Sequence, residues 1–404
     1  MTKKVWLMFL IITLAVLMVV GCADDETEVV DEPDDVEDVV DDEEVIVDDD
    51  EIVIGSVMDL TGGLGPMGEK IGLSVELAVH EINEAGGVNG KQLRLIMEDG
   101  ATEAATALEA VKKLVEVNGA NFIIGPMTTG AVDTVGPYVS ERGVLLISAS
   151  STGVILSGRD YRDYVFRTCM SDDFQGVIMA ELAADEGAET AVIFTMDNPY
   201  GVGLGDVVEE ALADKGIEVI AYITYDENKL DYLSELTEIA GLDPDAVMHV
   251  GYNEDAKVVY RQALELGLEH MLWVGPDGVH GSGTLEDPSA AAFMEQALIG
   301  TRPVGDPESP SYLDFIARYE EFAGFGPDVF GDTAYDATHL LALAMKEAGS
   351  EDPTEVRDAL LVVGQNYEGA SGTISFSEGG DRVSGRYEVW TVKDGENVQV
   401  RIIE

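Results

Sequence analysis

The sequence predicts an α/β protein made of two doubly wound lobes, each a parallel sheet covered by helices. Three observations carry this. From Ile52 onward, short β-rich runs alternate with segments of helical periodicity, the pattern of parallel strands joined by crossover helices. The alternation completes one set by about Ser148 and starts a second at Asp172. The chain has 404 residues, 46% of them hydrophobic and 25% charged, which supplies an ordinary core and, at about 150 residues per domain, two or three structural units.

In the first set, Ile52 to Met58 reads as strand, Glu69 to Ala85 as helix, Gln92 to Glu98 as strand and Thr102 to Val117 as helix. In that second helix Leu108, Val111 and Val115 recur on one face, with Glu103, Glu109 and Lys113 elsewhere. Asn121 to Ile124 follows as strand, Gly130 to Glu141 as helix and Val144 to Ser148 as strand. The second set comprises helix Asp172 to Asp185, strand Thr190 to Thr195, helix Gly201 to Lys215, strand Ile217 to Ile223 and helix Leu230 to Ala240. Strand Ala246 to Val250, helix Asn253 to Leu266 and strand Met271 to Val274 complete it. Beyond Arg302-Pro303 the pattern gives helices over Ser311 to Ala323 and Asp332 to Glu347, then a β-like tail from Tyr387 to Ile403.

Charge excludes one class of partner. With 79 acidic and 23 basic side chains the formal charge is −56, the opposite of what phosphate recognition requires, so nucleic acid is not expected. Residues 23 to 51 hold 18 acidic residues among 29, and residues 52 to 404 alone still carry −40. Repulsion on that scale is screened by salt, which points to a salt-loving microbe as the source.

Residues 1 to 21 have the order of a lipoprotein export signal: Lys3 and Lys4, an apolar run of 16 residues from Val5 to Val20, then Gly21 before Cys22. The run is short of the ~20 residues of a spanning helix, and acidic chain follows it, which favours cleavage and lipidation at Cys22 over a retained helix. Both place the body outside the cytoplasm. Residues 22 to 51 read as a self-repelling, disordered tether. Its Asp runs lack the spaced ligands, central Gly and terminal Glu of a calcium loop.

Signals for catalysis are scarce. His80, His249, His270, His280 and His339 are dispersed, with no pair at the i, i+4 spacing of two ligands on one helix face, so no metal is expected. Cys169 reads as a small buried side chain. Gly63-Leu64-Gly65-Pro66-Met67-Gly68 fits the G-x-G-x-x-G of a dinucleotide site, the basis of an NAD-dependent enzyme reading. Four residues separate Met58 from the first Gly, however, and the nearest carboxylates, Glu98 and Asp99, lie about 30 residues past Gly68 instead of ~20. The loop reads better as a glycine-rich turn at a cleft mouth, with no cofactor.

Five motifs in order carry a more specific signal: Asp59-Leu60-Thr61-Gly62, Asn83-Glu84-Ala85-Gly86-Gly87-Val88-Asn89-Gly90, Ile124-Gly125-Pro126, Tyr200-Gly201-Val202-Gly203 and Val274-Gly275-Pro276-Asp277-Gly278. Over essentially all of 52 to 404 the chain resembles the leucine/isoleucine/valine-binding family of ABC-transporter solute receptors. The resemblance implies a type I periplasmic binding protein fold, two lobes joined by three crossing strands near Thr168, Thr301 and Tyr387. Lobe 1 would comprise 52 to 168 and 302 to 386, and lobe 2 would comprise 169 to 301 and 387 to 404.

It also implies a site. A ligand carboxylate would meet Met127-Thr128-Thr129 and Ser150-Ser151-Thr152 from lobe 1, and its ammonium would meet Tyr200, Tyr252 and Asp277 from lobe 2. Thr129 at the start of a helix suits an anion on physical grounds as well, and it can also serve as the helix cap. Three departures stand out. Asp277 replaces the frequent Glu of relatives, Met67 stands where an aromatic is common, and neither Ala101 nor Thr128 is the Cys of a disulfide that some relatives carry. The implied protein is a monomer held by a lipid to the outer face of the cytoplasmic membrane, delivering an amino acid, branched-chain in type, to a permease and its ATPase. Alternatives are a non-amino-acid solute such as an amide, urea or an aromatic acid, or a sensory receptor subunit.

Overall fold

The computed structural model describes residues 50–403 apart from residue 228. The export signal, Cys22 and the tether up to residue 49 lie outside the described residues. The first sheet contains β1 (Glu51–Met58), β2 (Gln92–Asp99), β3 (Phe122–Ile124), β4 (Leu145–Ser148) and β5 (Val165–Arg167), in the order β2-β1-β3-β4-β5 and parallel throughout. Its crossovers are α1 (Gly65–Glu84), α2 (Ala104–Glu116) and α3 (Thr129–Arg142). Central strands are apolar on both faces, as expected for a sheet covered on both sides.

After β5 the chain passes through α4 (Asp172–Asp185) into the second sheet. Its strands are β6 (Thr190–Met196), β7 (Glu218–Tyr225), β8 (Ala246–Val250), β9 (Leu272–Gly275) and β10 (Leu298–Val304). Between them run α5 (Pro199–Lys215), α6 (Leu233–Leu242), α7 (Asn253–Leu266), the short α8 (Ser282–Leu285) and α9 (Pro288–Ala297). From β10 the chain returns to the first lobe, where α10 (Pro310–Ala323) and α11 (Gly331–Ala348) pack on α1, and α12 (Pro353–Val363) packs on α11. A small hairpin, β11 (Tyr367–Gly369) and β12 (Gly372–Ile374), precedes the third passage.

The β-like tail is a hairpin of β13 (Arg386–Lys393) and β14 (Glu396–Ile403) that turns at Asp394 and Gly395. Strand β13 pairs antiparallel with β10, so the second sheet is parallel from β7 to β10 and antiparallel beyond, in the order β14-β13-β10-β9-β8-β6-β7. The two sheets with their covering helices are the α/β architecture that the sequence predicts. No helix of the described residues is long and apolar enough to cross a membrane.

Element ends differ from expectation for local reasons. Helix α1 starts at Gly65, four residues early, because Pro66 in the first turn lacks only an N–H that has no helical partner there. Helix α2 starts late because Ala101 and Thr102 adopt left-handed φ values of 54° and 57°. Its inner face is Ala107, Ala110, Val111 and Leu114, with Leu108 and Val115 on the flank.

The G-x-G-x-x-G loop owes its last glycine to packing. A Cβ on Gly68 would stand 1.9 Å from the carbonyl oxygen of Asp59. Gly68→Ala should therefore destabilise the fold by about 1–3 kcal/mol, as for overpacking of a filled core. A thermal melt checks this, and an unchanged midpoint would show that the loop yields.

Candidate functional site

Between the lobes lies a cavity lined by Leu64, Met67, Met127, Thr128, Thr129, Ser150, Thr152, Tyr200, Tyr252, Asp277, Gly278 and Phe330. It is narrow, with a cavity volume of about 20 Å³. The lobes meet around it. The Asp172 N–H donates to the Thr152 carbonyl at 3.0 Å, and the Glu254 N–H to the Gly63 carbonyl at 3.4 Å. This is a closed arrangement.

The first lobe contributes the start of α3 and the loop after β4. Thr128, not Thr129, is the cap of α3: its hydroxyl accepts from the Ala131 N–H at 3.3 Å. The buried Thr129 hydroxyl accepts instead from the Gly153 N–H at 3.0 Å, tying the two loops together. Ser150 donates to the Met127 carbonyl at 3.0 Å. The first N–H groups of α3 have no intrahelical acceptor, so this wall presents the positive end of a helix. Ser151 is the exception among the expected residues and does not line the cavity. Its hydroxyl is fully buried against Ser148 at 2.8 Å and the Met127 carbonyl at 2.9 Å, where it braces the loop from behind.

The second lobe contributes a negative wall. Tyr200 in the first turn of α5 and Tyr252 at the cap of α7 present parallel rings, 5.5 Å between centroids and 7° apart in plane. Asp277 follows β9, is 4% exposed, and its Oδ1 has no hydrogen-bond partner. Burial pushes its pKa up to about 6, partly offset by the Gln175 amide and its own N–H. The Tyr200 hydroxyl is likewise buried without a partner.

Sequence reasoning missed Asp172, Leu64, Gly278 and Phe330. Asp172 opens α4, is fully buried, and neither carboxylate oxygen stands at hydrogen-bond geometry with another group. Burial raises its pKa well above the ordinary range, with Asp277 adding to the rise and the Thr152 hydroxyl and Arg167 easing it. A Ser before Asp-Asp is an ordinary helix start, so nothing in the local sequence marks it. Phe330 caps α11 with a left-handed φ of 67°, which its sequence does not announce.

The other candidates for chemistry are structural. Cys169 is buried and its thiol is pushed up to about 12 by burial. His249 lies between the Tyr225 and Tyr260 hydroxyls at 3.0 and 2.9 Å, and burial drives it down to about 3. Among the described residues no group of three or more His, Cys, Asp or Glu side chains is arranged to hold a metal ion.

Known proteins are similar in sequence and share the fold. The chain is 28% identical over 346 residues to Leu/Ile/Val-binding protein homolog 3 of Brucella melitensis, covering 85% of this chain and 92% of that one. A leucine-binding protein from Thermotoga maritima superposes with a TM-score of 0.80 at 26% identity, covering 87% of this chain and 98% of that one. The branched-chain amino acid transporter substrate-binding protein of Streptococcus pneumoniae, in complex with isoleucine, does so at 0.79 with 27% identity, covering 87% and 99%. Residues 51–397 match the model of the periplasmic binding protein family, and the chain belongs to that family.

Proposed function

We propose that this protein is the extracytoplasmic solute-binding component of an ABC importer, which captures an α-amino acid of the branched-chain type between its lobes and presents the closed form to a permease driven by an ATPase. The observation that carries the reading is the pairing of opposite walls. The Asp277 carboxylate, with its Oδ1 unpartnered, stands beside Tyr200 and Tyr252 and faces a first-lobe wall formed by the start of α3 and the hydroxyls of Thr129, Ser150 and Thr152. A zwitterion satisfies both ends, whereas an aromatic acid leaves Asp277 buried and unpaired, which is severely unfavourable. Leu64, Met67, Met127 and Phe330 supply an apolar wall for the side chain. Relatives named for leucine, isoleucine and valine support the branched-chain type. No catalysis is required.

The finer reading assigns lobe 1 to 52–168 and 302–386 and lobe 2 to 169–301 and 387–404. Cys22 carries the lipid that tethers a monomer to the outer face of the membrane, and the acidic surface suits a salt-loving source.

Calorimetry with leucine, isoleucine and benzoate tests the reading. Leucine or isoleucine should bind at least about 30-fold tighter than benzoate, the lower end of the cost of leaving a buried charge unpaired. The pH profile has a defined sign. A bound ammonium favours ionised Asp277, so binding expels a proton once the pH falls below about 6. Affinity should be flat above that value and fall by up to about tenfold per unit below it. Tight benzoate binding, or an amino-acid affinity unchanged down to pH 5, would remove the ammonium site.

A further inference from the structure

Asp277 has little of its own to aim it. It opens a single 3-10 turn, Asp277–Val279, closed by the His280 N–H on the Asp277 carbonyl at 2.9 Å. Its Oδ1 has no hydrogen-bond partner, so the direction of the carboxylate comes from the backbone beneath it. Hydrogen bonds of a 3-10 turn have poorer geometry than those of an α-helix, and one such turn does not fix its own orientation.

The junction between β8 and α7 fixes it instead. A Cβ on Gly278 would stand 2.5 Å from the Gly251 carbonyl oxygen and 3.1 Å from the Tyr200 hydroxyl, so the turn lies directly on that junction. Asn253, 1% exposed, then pins it from the side. Its Nδ2 donates to the Gly278 carbonyl at 3.1 Å and the His280 carbonyl at 2.7 Å, and stands 3.2 Å from the Thr284 hydroxyl oxygen. The fully buried Thr284 hydroxyl donates in turn to the Val279 carbonyl at 3.1 Å. Two side chains thus hold three consecutive carbonyls, 278 to 280, and only the NH2 end of the Asn253 amide can serve its two.

An Asn at a helix start ordinarily caps that helix. Here Tyr252 holds the cap position, α7 makes no side-chain cap bond, and the Asn253 NH2 group is spent on another segment. Its neighbours complete the pattern. Tyr252 lines the cavity, and the Glu254 N–H donates across to the Gly63 carbonyl of the first lobe. Three successive residues therefore touch the cavity, the Asp277 turn and the opposite lobe.

We propose that Asn253 is a positioning residue for the ammonium site, setting through the Gly278 and His280 carbonyls where the Asp277 carboxylate stands relative to Tyr252 and the closed first lobe. This rests on the amino-acid reading above. Asn253 does not line the cavity itself, so it acts through Asp277. A charge pair weakens with small displacements of either partner, whereas the carboxylate end and the apolar wall are built by other elements and do not depend on this turn.

Leucine and 4-methylpentanoate share a carboxylate and a side chain and differ in the amino group, so the ratio of their affinities reads the ammonium site alone. By calorimetry at pH 7.5 the wild type should favour leucine. Asn253→Ala should weaken leucine at least about tenfold and 4-methylpentanoate less than about twofold, a split that a general loosening of the fold would not produce. On an Asp277→Asn background the same change should cost leucine less than about threefold, because the group it aims is gone. A thermal melt checks that the variants fold. If Asn253→Ala does not, Thr284→Val carries the test: it keeps the volume, releases the Val279 carbonyl, and should narrow the ratio at least about threefold. An unchanged ratio in the folded variant, or an undiminished loss on the Asp277→Asn background, overturns the positioning role and leaves the amino-acid reading standing. A wild type with no preference for leucine over 4-methylpentanoate removes both.

Discussion

Asp277→Asn is expected to weaken leucine or isoleucine binding by about 2 to 5 kcal/mol, the usual cost of breaking a buried charged pair, in calorimetry at pH 7.5. The substitution nearly preserves shape, so the loss reports the countercharge. The empty protein should respond in the opposite sense. Its folded form holds the Asp277 proton more tightly than the unfolded chain does, because burial raises the pKa from 3.8 to about 6. Ionisation therefore costs stability increasingly as pH rises from about 4, and in full above about 6. Asparagine removes that cost. The empty variant should gain on the order of 1–3 kcal/mol at pH 7.5 and nothing at pH 3.5. Equal amino-acid affinity in the two proteins would show that Asp277 does not meet the ammonium.

Arg167→Met should cost about 3–5 kcal/mol of stability, the range for breaking a buried ion pair from one side. Arg167 ends β5 and is fully buried. It donates through Nε to Asp381 at 2.6 Å, through Nη1 to the Ser151 and Gly153 carbonyls at 3.0 Å each, and through Nη2 to Ser157 at 2.9 Å. Methionine fills the volume but leaves the buried Ser151 carbonyl without its donor, the Gly153 carbonyl with the Leu156 N–H alone, and Asp381 with Arg162 as its remaining cation. Chemical denaturation followed by circular dichroism measures the loss. Arg167→Lys should recover only part of it, since a point charge cannot reproduce the fork. A methionine variant as stable as wild type would mean that the 151–157 loop is held by its packing.

The alternation that predicts the fold is legible because each parallel strand is a short apolar run and each helix a periodic one, as in α4 and α7, whose ends match the pattern. Helices α9 and α12 were equally readable from capping chemistry. Each opens on Asp-Pro, with Asp287 and Asp352 accepting from the first turn and Pro288 and Pro353 filling it. Periodicity alone passes over them. Nine of the ten expected site residues come together because they sit at strand ends and helix starts, where β-α units turn their functional groups. What the sequence hides is direction and distance. Ser150, Ser151 and Thr152 are adjacent and similar, yet the middle hydroxyl points into the protein and the outer two line the cavity. Asp172 reaches Asp277 from a different part of the second lobe, and no local pattern reports such a meeting.

The dried carboxylates also bear on energy economy. If the permease reads the closed form, a receptor that closes empty spends ATP on nothing. Closing without a cation confines Asp277 and Asp172 away from water with no donor for several of their oxygens, a cost that is reduced in any open form that wets them. Each 1.4 kcal/mol of that difference lowers the population of empty closed receptor tenfold. A pair of acids thereby acts as a gate on fuel use, making the cargo's own positive charge the condition for engaging the pump.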